Sequence, residues 1–322
     1  MNPDIAQAID LIQVNLNKGG MDTLNIVLAF VMFGVALGIK PSTLKEVFKK
    51  PKSAIIGIVC QNIFLPAFTL LLAMLFNRWI SPMMALGMIL VASCPGGNIS
   101  NFMSYLSKAN TELSVSLTAI NTALSVFTTP ANFAIWGGLY LRFADIKGTL
   151  PELQIPFWDI FQTIFILLGI PLILGMLCSK YLPKVADLLQ KPLKYLSILI
   201  FIAMVVIMVM NNMEPLMQCI KYIFIVVFIH NLCALLIGFG ASTAFKLPRK
   251  DRRTITIETG IQNSGLGLIL LFNPAIFGNF PPHGGMLVIT AMWGIWHIVS
   301  GLGTATIFNL HDKRKSKKAI NG

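Results

Sequence analysis

The sequence predicts an all-α polytopic membrane protein of nine transmembrane helices, and three observations predict it. Apolar runs of about 20 residues, the length that spans a hydrocarbon core as helix, recur along the whole chain. Hydrophobic residues make up 55% of the 322 and charged ones only 12%, against about 25% charged in a soluble domain. The Lys and Arg residues lie between the apolar runs, where they set topology.

Residues 1–20, with Asn2, Asp4, Asp10, Asn15 and Lys18 among Ile and Leu, are too short and polar to cross a bilayer. They suit an extracytoplasmic amphipathic surface helix ending at Gly19-Gly20. Spans are expected near 22–39, 53–76, 82–107, 111–141, 156–179, 192–212, 222–245, 252–275 and 284–310. An odd number of crossings puts the termini on opposite sides. Of the 25 Lys and Arg, 20 fall in one set of alternate loops: Lys40 to Lys52, Lys108, Lys180 to Lys194, Lys246 to Arg253, and Lys313 to Lys318. Basic loops stay cytoplasmic, so the N-terminus is expected outside and the basic tail 311–322 inside a plasma (bacterial inner) membrane. The net charge of +12 therefore reflects topology and contact with the lipid bilayer, not nucleic acid. The opening residues lack a cleavable-signal pattern, so the spans themselves are expected to direct insertion. Cys60, Cys94, Cys178, Cys219 and Cys233 lie in or beside apolar segments without a CxxC pair, which argues against a zinc site or a disulfide framework.

Two spans are internally polar. Glu258 stands inside the eighth, and a carboxylate at bilayer depth needs a cation, a proton or a water-filled cavity. The alternative is a neutral, hydrogen-bonded Glu258 in a helix packed through small residues. Gly260, Gly265 and Gly267 loosen that span, and Thr259, Gln262, Asn263 and Ser264 add polar side chains. The third span carries SCPGGNISNF at Ser93 to Phe102, where Pro95 removes a donor and Gly96-Gly97 permit a break, with restart near Asn98. A half-helix N-terminus there would favour an anion. Paired broken spans in two halves of a chain point to a transporter binding site, and spans three and eight cross in opposite directions, as in an inverted repeat. The repeat also sets His230-Asn231 against Gln61-Asn62. Ser114, Thr118, Asn121, Thr122, Ser125 and Thr129 form a stripe at helical spacing in the fourth span, facing a cavity. Neutral oxygens from Ser100, Asn101, Ser114 and Thr118 beside one carboxylate are hard ligands that suit a small alkali cation, with sodium the natural candidate.

Among the remaining side chains, Trp79, Trp136, Trp158 and Trp293 lie near predicted span ends as interfacial anchors. The Met-rich run at 203–213 suits lipid-facing or interdomain packing, and Glu112 a solvated helix start.

CPGGNISN (94–101) with NTELSVSLT (110–118), RRTITIETGIQNSG (252–265) and QNIFLP (61–66) resemble the bile acid:sodium symporter family, in order and spacing from residue 25 to 308. The resemblance implies a panel domain drawn from 21–76 and 156–212 (spans one, five and six). Beside it stands a core domain from 53–141 and 222–310 (spans two to four and seven to nine), holding two discontinuous crossing helices. It implies uptake coupled to two sodium ions. The first would be held by Ser100, Asn101, Ser114, Thr118 and Glu258, the second by Gln61, Glu258, Gln262 and the backbone carbonyls of Thr259 and Ile261. The small organic anion would lie against Asn98, Asn263 and His297. Its class, bile-acid-like or a smaller carboxylate such as pantoate or pyruvate, or a sulfonate, is open, because His297 is followed by Ile298 where some bacterial relatives carry an amide. Nine spans also differ from the ten of several bacterial members.

The expected activity is sodium-coupled symport of an organic anion by alternating access. The alternative is a proton-coupled or uncoupled exporter of the same fold, with Glu258 relaying protons. No Ser/His/Asp grouping, HExxH or phosphate loop suggests an enzyme, no soluble signalling domain suggests a sensor, and no obligate protein partner is evident.

Overall fold

A computed structural model of the chain describes residues 9–10, 18–38, 51–144, 157–211, 213–277 and 283–320. Twelve helical elements follow one another among them: α1 (Lys18–Leu37), α2 (Pro51–Phe76), α3 (Pro82–Ser93), α4 (Ile99–Leu106), α5 (Thr111–Phe143), α6 (157–181), α7 (Pro183–Asn211), α8 (Met213–Ala244), α9 (Arg249–Gly260), α10 (Ser264–Leu271), α11 (Pro274–Phe277) and α12 (Gly284–Ile320). Strand pairing among these residues is limited to one antiparallel bridge, Gly96 with Gln262. Three helical stretches, Pro51–Phe76, Ile220–Ala244 and Gly284–Arg314, are long and apolar enough to cross a membrane by length and composition alone.

Among the described residues helix is found within each predicted span, interrupted in the third and eighth, with boundaries that differ for local reasons. α7 begins at Pro183, nine residues before the predicted start, because proline is well placed in a helix's first turn. Pro192 then lies inside it, and Pro130 inside α5. α8 starts at Met213 rather than 222, and α12 runs on through the basic tail to Ile320. Gly19 and Gly20 do not close a preceding helix; they lie within α1, which starts at Lys18. The rest of the amphipathic-segment expectation, at 1–8 and 11–17, lies outside the described residues, as do 39–50 of the first basic loop and the Cys219 side chain.

Small residues set the helix crossings. A Cβ on Gly175 of α6 would stand 2.6 Å from Ala36 of α1, one on Gly34 of α1 would stand 2.7 Å from Leu193 of α7, and one on Gly87 of α3 would stand 2.7 Å from the Met286 backbone of α12. Backbones approach this closely in membrane bundles because van der Waals packing, not water exclusion, drives helix association there. α1 thus packs on α6 and α7, while α8 packs on α9 and α3 on α12.

Tryptophan positions separate surface from interior. Trp79 and Trp158 are 57% and 69% exposed, consistent with anchoring, and Trp136 is half-buried. Trp293 is not an interfacial anchor: it is fully buried, its ring edge-on to His230 at 4.6 Å between centroids. Nine residues into α12 it stands about 13 Å from the helix start, well within the bundle.

Candidate cation and anion site

The site is built where two helices stop short of crossing. α3 ends at Ser93, Cys94 turns to extended backbone, and α4 restarts after Asn98. α9 ends at Gly260, Ile261 is extended, and α10 restarts after Asn263. The two gaps meet backbone to backbone: the Gly97 N–H donates to Ile261 O at 2.9 Å and the Asn263 N–H donates to Pro95 O at 2.8 Å. Exposed peptide groups at bilayer depth are thus satisfied by the other break. Glycine on one side of this contact keeps the approach close, because a Cβ on Gly96 would stand 3.0 Å from the Glu258 carboxylate and one on Gly97 3.0 Å from Gln262 O.

One turn before its break, α9 presents Glu258, 3% exposed. Ser100 Oγ, on the first turn of α4, donates to Oε1 at 2.6 Å. Ser114 Oγ donates to the same oxygen, and Thr118 Oγ1 lies 3.2 Å and 3.0 Å from the two carboxylate oxygens, both from α5. Asn101 Oδ1 closes the group, accepting from Ser114 at 2.9 Å and Thr118 at 3.2 Å. Ser114 and Thr118 sit one turn apart, so the fourth-span stripe meets the break with one face. Three elements therefore converge on a single carboxylate, and all five predicted oxygen donors of the first set are in this cluster.

The second set lies beside it. Gln61 Nε2 donates to Gln262 Oε1 at 2.6 Å, Gln262 Nε2 donates back at 3.2 Å, and also to Thr259 O at 2.8 Å. A second contact fixes Gln61, whose Nε2 lies 2.9 Å from Cys94 O. Gln61 faces inward because it continues, at helical spacing, the buried face of Ala54 and Gly57, and the π turn of α2 at Cys60–Phe64 includes it. Ile261 O accepts from Gly97, and a carbonyl keeps a second lone pair for a further partner.

The proposed anion contacts are not joined by hydrogen bonds to one another among the described residues. Asn98 is exposed at the start of α4 and makes no capping bond. Asn263 is half-buried and caps α10, accepting from the Leu266 N–H at 3.0 Å. His297 is 4% exposed on α12, and its Nδ1 has no hydrogen-bond partner among the described residues. His230 does not stand with Gln61; its Nε2 lies 2.8 Å from Thr69 Oγ1, two turns further along α2.

Further polar side chains support the site. Asn62 Nδ2 donates to Asn121 Oδ1 at 3.0 Å, tying α2 to α5, and Asn231 Nδ2 donates to Gly260 O at 2.7 Å, capping α9 where it breaks. Near the start of α9 Asp251 accepts from Ser53 and Asn110 at 2.8 Å each. Asn62 and Asn231 are the residues that the expected repeat sets against one another, and Asn121 belongs to the fourth-span stripe, whereas Ser53 and Asp251 carry no such signal in the sequence.

With this geometry in view, the relatives are informative. The model of the Sodium Bile acid symporter family matches residues 25–219. An "Uncharacterized sodium-dependent transporter YocS" of Bacillus subtilis (strain 168) is 33% identical over 91% of this chain and 84% of its own. The "Sodium/bile acid cotransporter 4" of Mus musculus is 29% identical over 82% of this chain and 59% of its own. The "P3 protein" of Bos taurus is 31% identical over 71% and 46%, so the chain spans about half the length of some relatives. This protein belongs to the sodium bile acid symporter family, and is accordingly a polytopic membrane transporter rather than an enzyme.

Proposed function

We propose that this protein is a sodium-coupled symporter of a small organic anion, working by alternating access. The observation that carries the proposal is the convergence of Ser100, Ser114 and Thr118 on the Glu258 carboxylate, with Asn101 closing the group. A hydroxyl that donates to the carboxylate without an ion can rotate its proton away and offer lone pairs when a cation sits between them. The donor set is all oxygen and carries one negative charge, which matches a hard monovalent cation. Sodium, carried as a substrate, would neutralise Glu258 and hold α4, α5 and α9 together. Gln61, Gln262 and the carbonyls of Thr259 and Ile261, with Glu258, would take a second ion after the amide pair opens.

The anion would sit at the crossing beside Asn98 and Asn263, where the N-termini of α4 and α10 offer N–H groups and a favourable dipole, with His297 on the facing helix. Sodium fixes those half-helix ends, so the two ligands stabilise each other, and the coupling is reciprocal. Nine crossings, an outside N-terminus and a cytoplasmic C-terminus follow from the distribution of basic residues. α1, α6 and α7 would form the panel against which the remaining helices move, supported by the packing of α1 on the other two.

Purified protein in liposomes, tested with an inward sodium gradient against a panel of labelled small carboxylates and a bile acid, should take up one class, and Glu258→Ala should abolish that uptake. Sodium-driven uptake that survives in Glu258→Ala refutes the proposal. Uptake that follows a proton gradient and ignores sodium supports the exporter-type mechanism instead.

A further inference from the structure

The cytoplasmic ends of the two broken helices are joined by a network that lies outside the cation site. α4 ends at Leu106, and the last carbonyls of a helix have no partner within it. Here Asn309 Nδ2 of α12 donates to Leu106 O at 2.8 Å, and Arg253 Nη1 of α9 donates to Ser107 O at 2.8 Å. Arg253 is 5% exposed, and its charge is met by Asp312, which accepts from Nη1 at 3.0 Å and from Nη2 at 2.6 Å. Nη2 also donates to Phe308 O at 3.2 Å, and the guanidinium lies 5.0 Å from the centre of the Phe308 ring. Arg249 reaches Asp312 as well, so one carboxylate faces two guanidinium groups. Beneath this polar layer Met103, Ile257 and Ile261 pack together with Leu106 and Phe308, joining α4, α9 and α12.

The placement relative to the cage gives this network a task. Arg253 precedes Glu258 by five residues on one helix, about 7.5 Å along its axis. Ser107 follows Ser100 by seven on the other. Fixing Arg253 to Ser107 therefore fixes the axial register of the two helices that bring Ser100 Oγ within 2.6 Å of Glu258. The bidentate fork is what a register pin needs, because a planar guanidinium on a carboxylate resists both sliding and twisting.

We infer that Arg253 and Asp312 are positioning residues that hold the cation cage in register from its cytoplasmic side. The inference rests on the sodium site proposed above. Neither side chain touches the cage; they act by holding α4, α9 and α12 as one piece.

The test uses the full-length protein, purified as wild type, Asp312→Asn, Arg253→Lys and Arg253→Gln. Each is titrated with sodium chloride at constant ionic strength, choline chloride making up the balance, and half-saturating sodium is read from thermal stabilisation. Asp312→Asn and Arg253→Gln should raise half-saturating sodium about ten-fold, and Arg253→Lys, which keeps the charge without the fork, should fall between them and wild type. The same half-saturation in all four proteins overturns the inference, even where the variants melt lower, because a merely structural tie costs stability without moving sodium affinity. If Arg253→Gln does not fold, Asp312→Asn decides, since that carboxylate is 25% exposed and its amide is tolerated more easily. A wild type that responds to sodium no more than to choline removes the sodium site itself, and the positioning role with it; a responsive wild type with unmoved variants removes only the positioning role.

Discussion

Glu258 concentrates the cost and the purpose of this protein in one side chain. Burying a carboxylate among apolar helices is tolerated only with partners, and three hydroxyls supply them. That much was legible in the sequence: a charged residue in a predicted span, immediately before a polar, glycine-bearing stretch. Gln61 was legible by resemblance alone, because a glutamine in an apolar helix has no local sign of which way it points. Its place on the buried face with Ala54 and Gly57 is a tertiary outcome. Gln61→Leu should remove the second ion while leaving the hydroxyl cluster around Glu258, so the Hill coefficient for sodium should fall from about two to about one. Equal cooperativity in the variant and wild type would exclude Gln61 from the second site. Trp293 shows the opposite limit. Its sequence position near a span start suggested an interface, and packing against His230 decided otherwise.

Among the elements, the paired breaks do the most. Pro95 and the glycines around it announced a break, and α4 does restart after Asn98. The antiparallel contact between the breaks, and the way each satisfies the other's backbone, could not be read from either segment alone. Gly97→Ala would place a methyl 3.0 Å from the backbone oxygen of Gln262, which would have to give by a few tenths of an ångström. The expected cost is about 1–3 kcal/mol of stability together with loss of sodium-dependent stabilisation; an unaltered sodium response would show that the contact is not needed. The first turns of α3 and α12 carry a separate tie, where Ser81 Oγ donates to Asp10 Oδ1 at 2.6 Å. Burial raises the Asp10 pKa to about 7, against the lowering effect of Ser81 and the Gly285 N–H. A carboxyl that binds its proton more tightly when folded adds stability at low pH, and that contribution is lost as pH rises from about 4 to 7. The melting temperature of wild type relative to Asp10→Asn should therefore fall across that interval. A constant difference would mean that Asp10 does not titrate in place.

At the scale of the whole molecule, composition and loop charge gave the fold class with little else needed, because a bilayer leaves so few ways to satisfy a backbone. What stayed hidden is how the helices are tied at their ends. Arg252 and Arg253 read as topology signals, yet Arg253 is buried against Asp312, 59 positions away and within a tail that looked merely basic. Long-range pairs of this kind leave no periodic trace in a sequence. In the proposed mechanism the helices that carry Ser100, Ser114, Thr118 and Glu258 move as one body, and sodium would complete it. Binding of radiolabelled sodium to the purified protein tests this most directly. Wild type should bind it saturably with potassium unable to compete, and Glu258→Gln, which keeps the shape and removes the charge, should bind none. Undiminished sodium binding by folded Glu258→Gln would contradict the account.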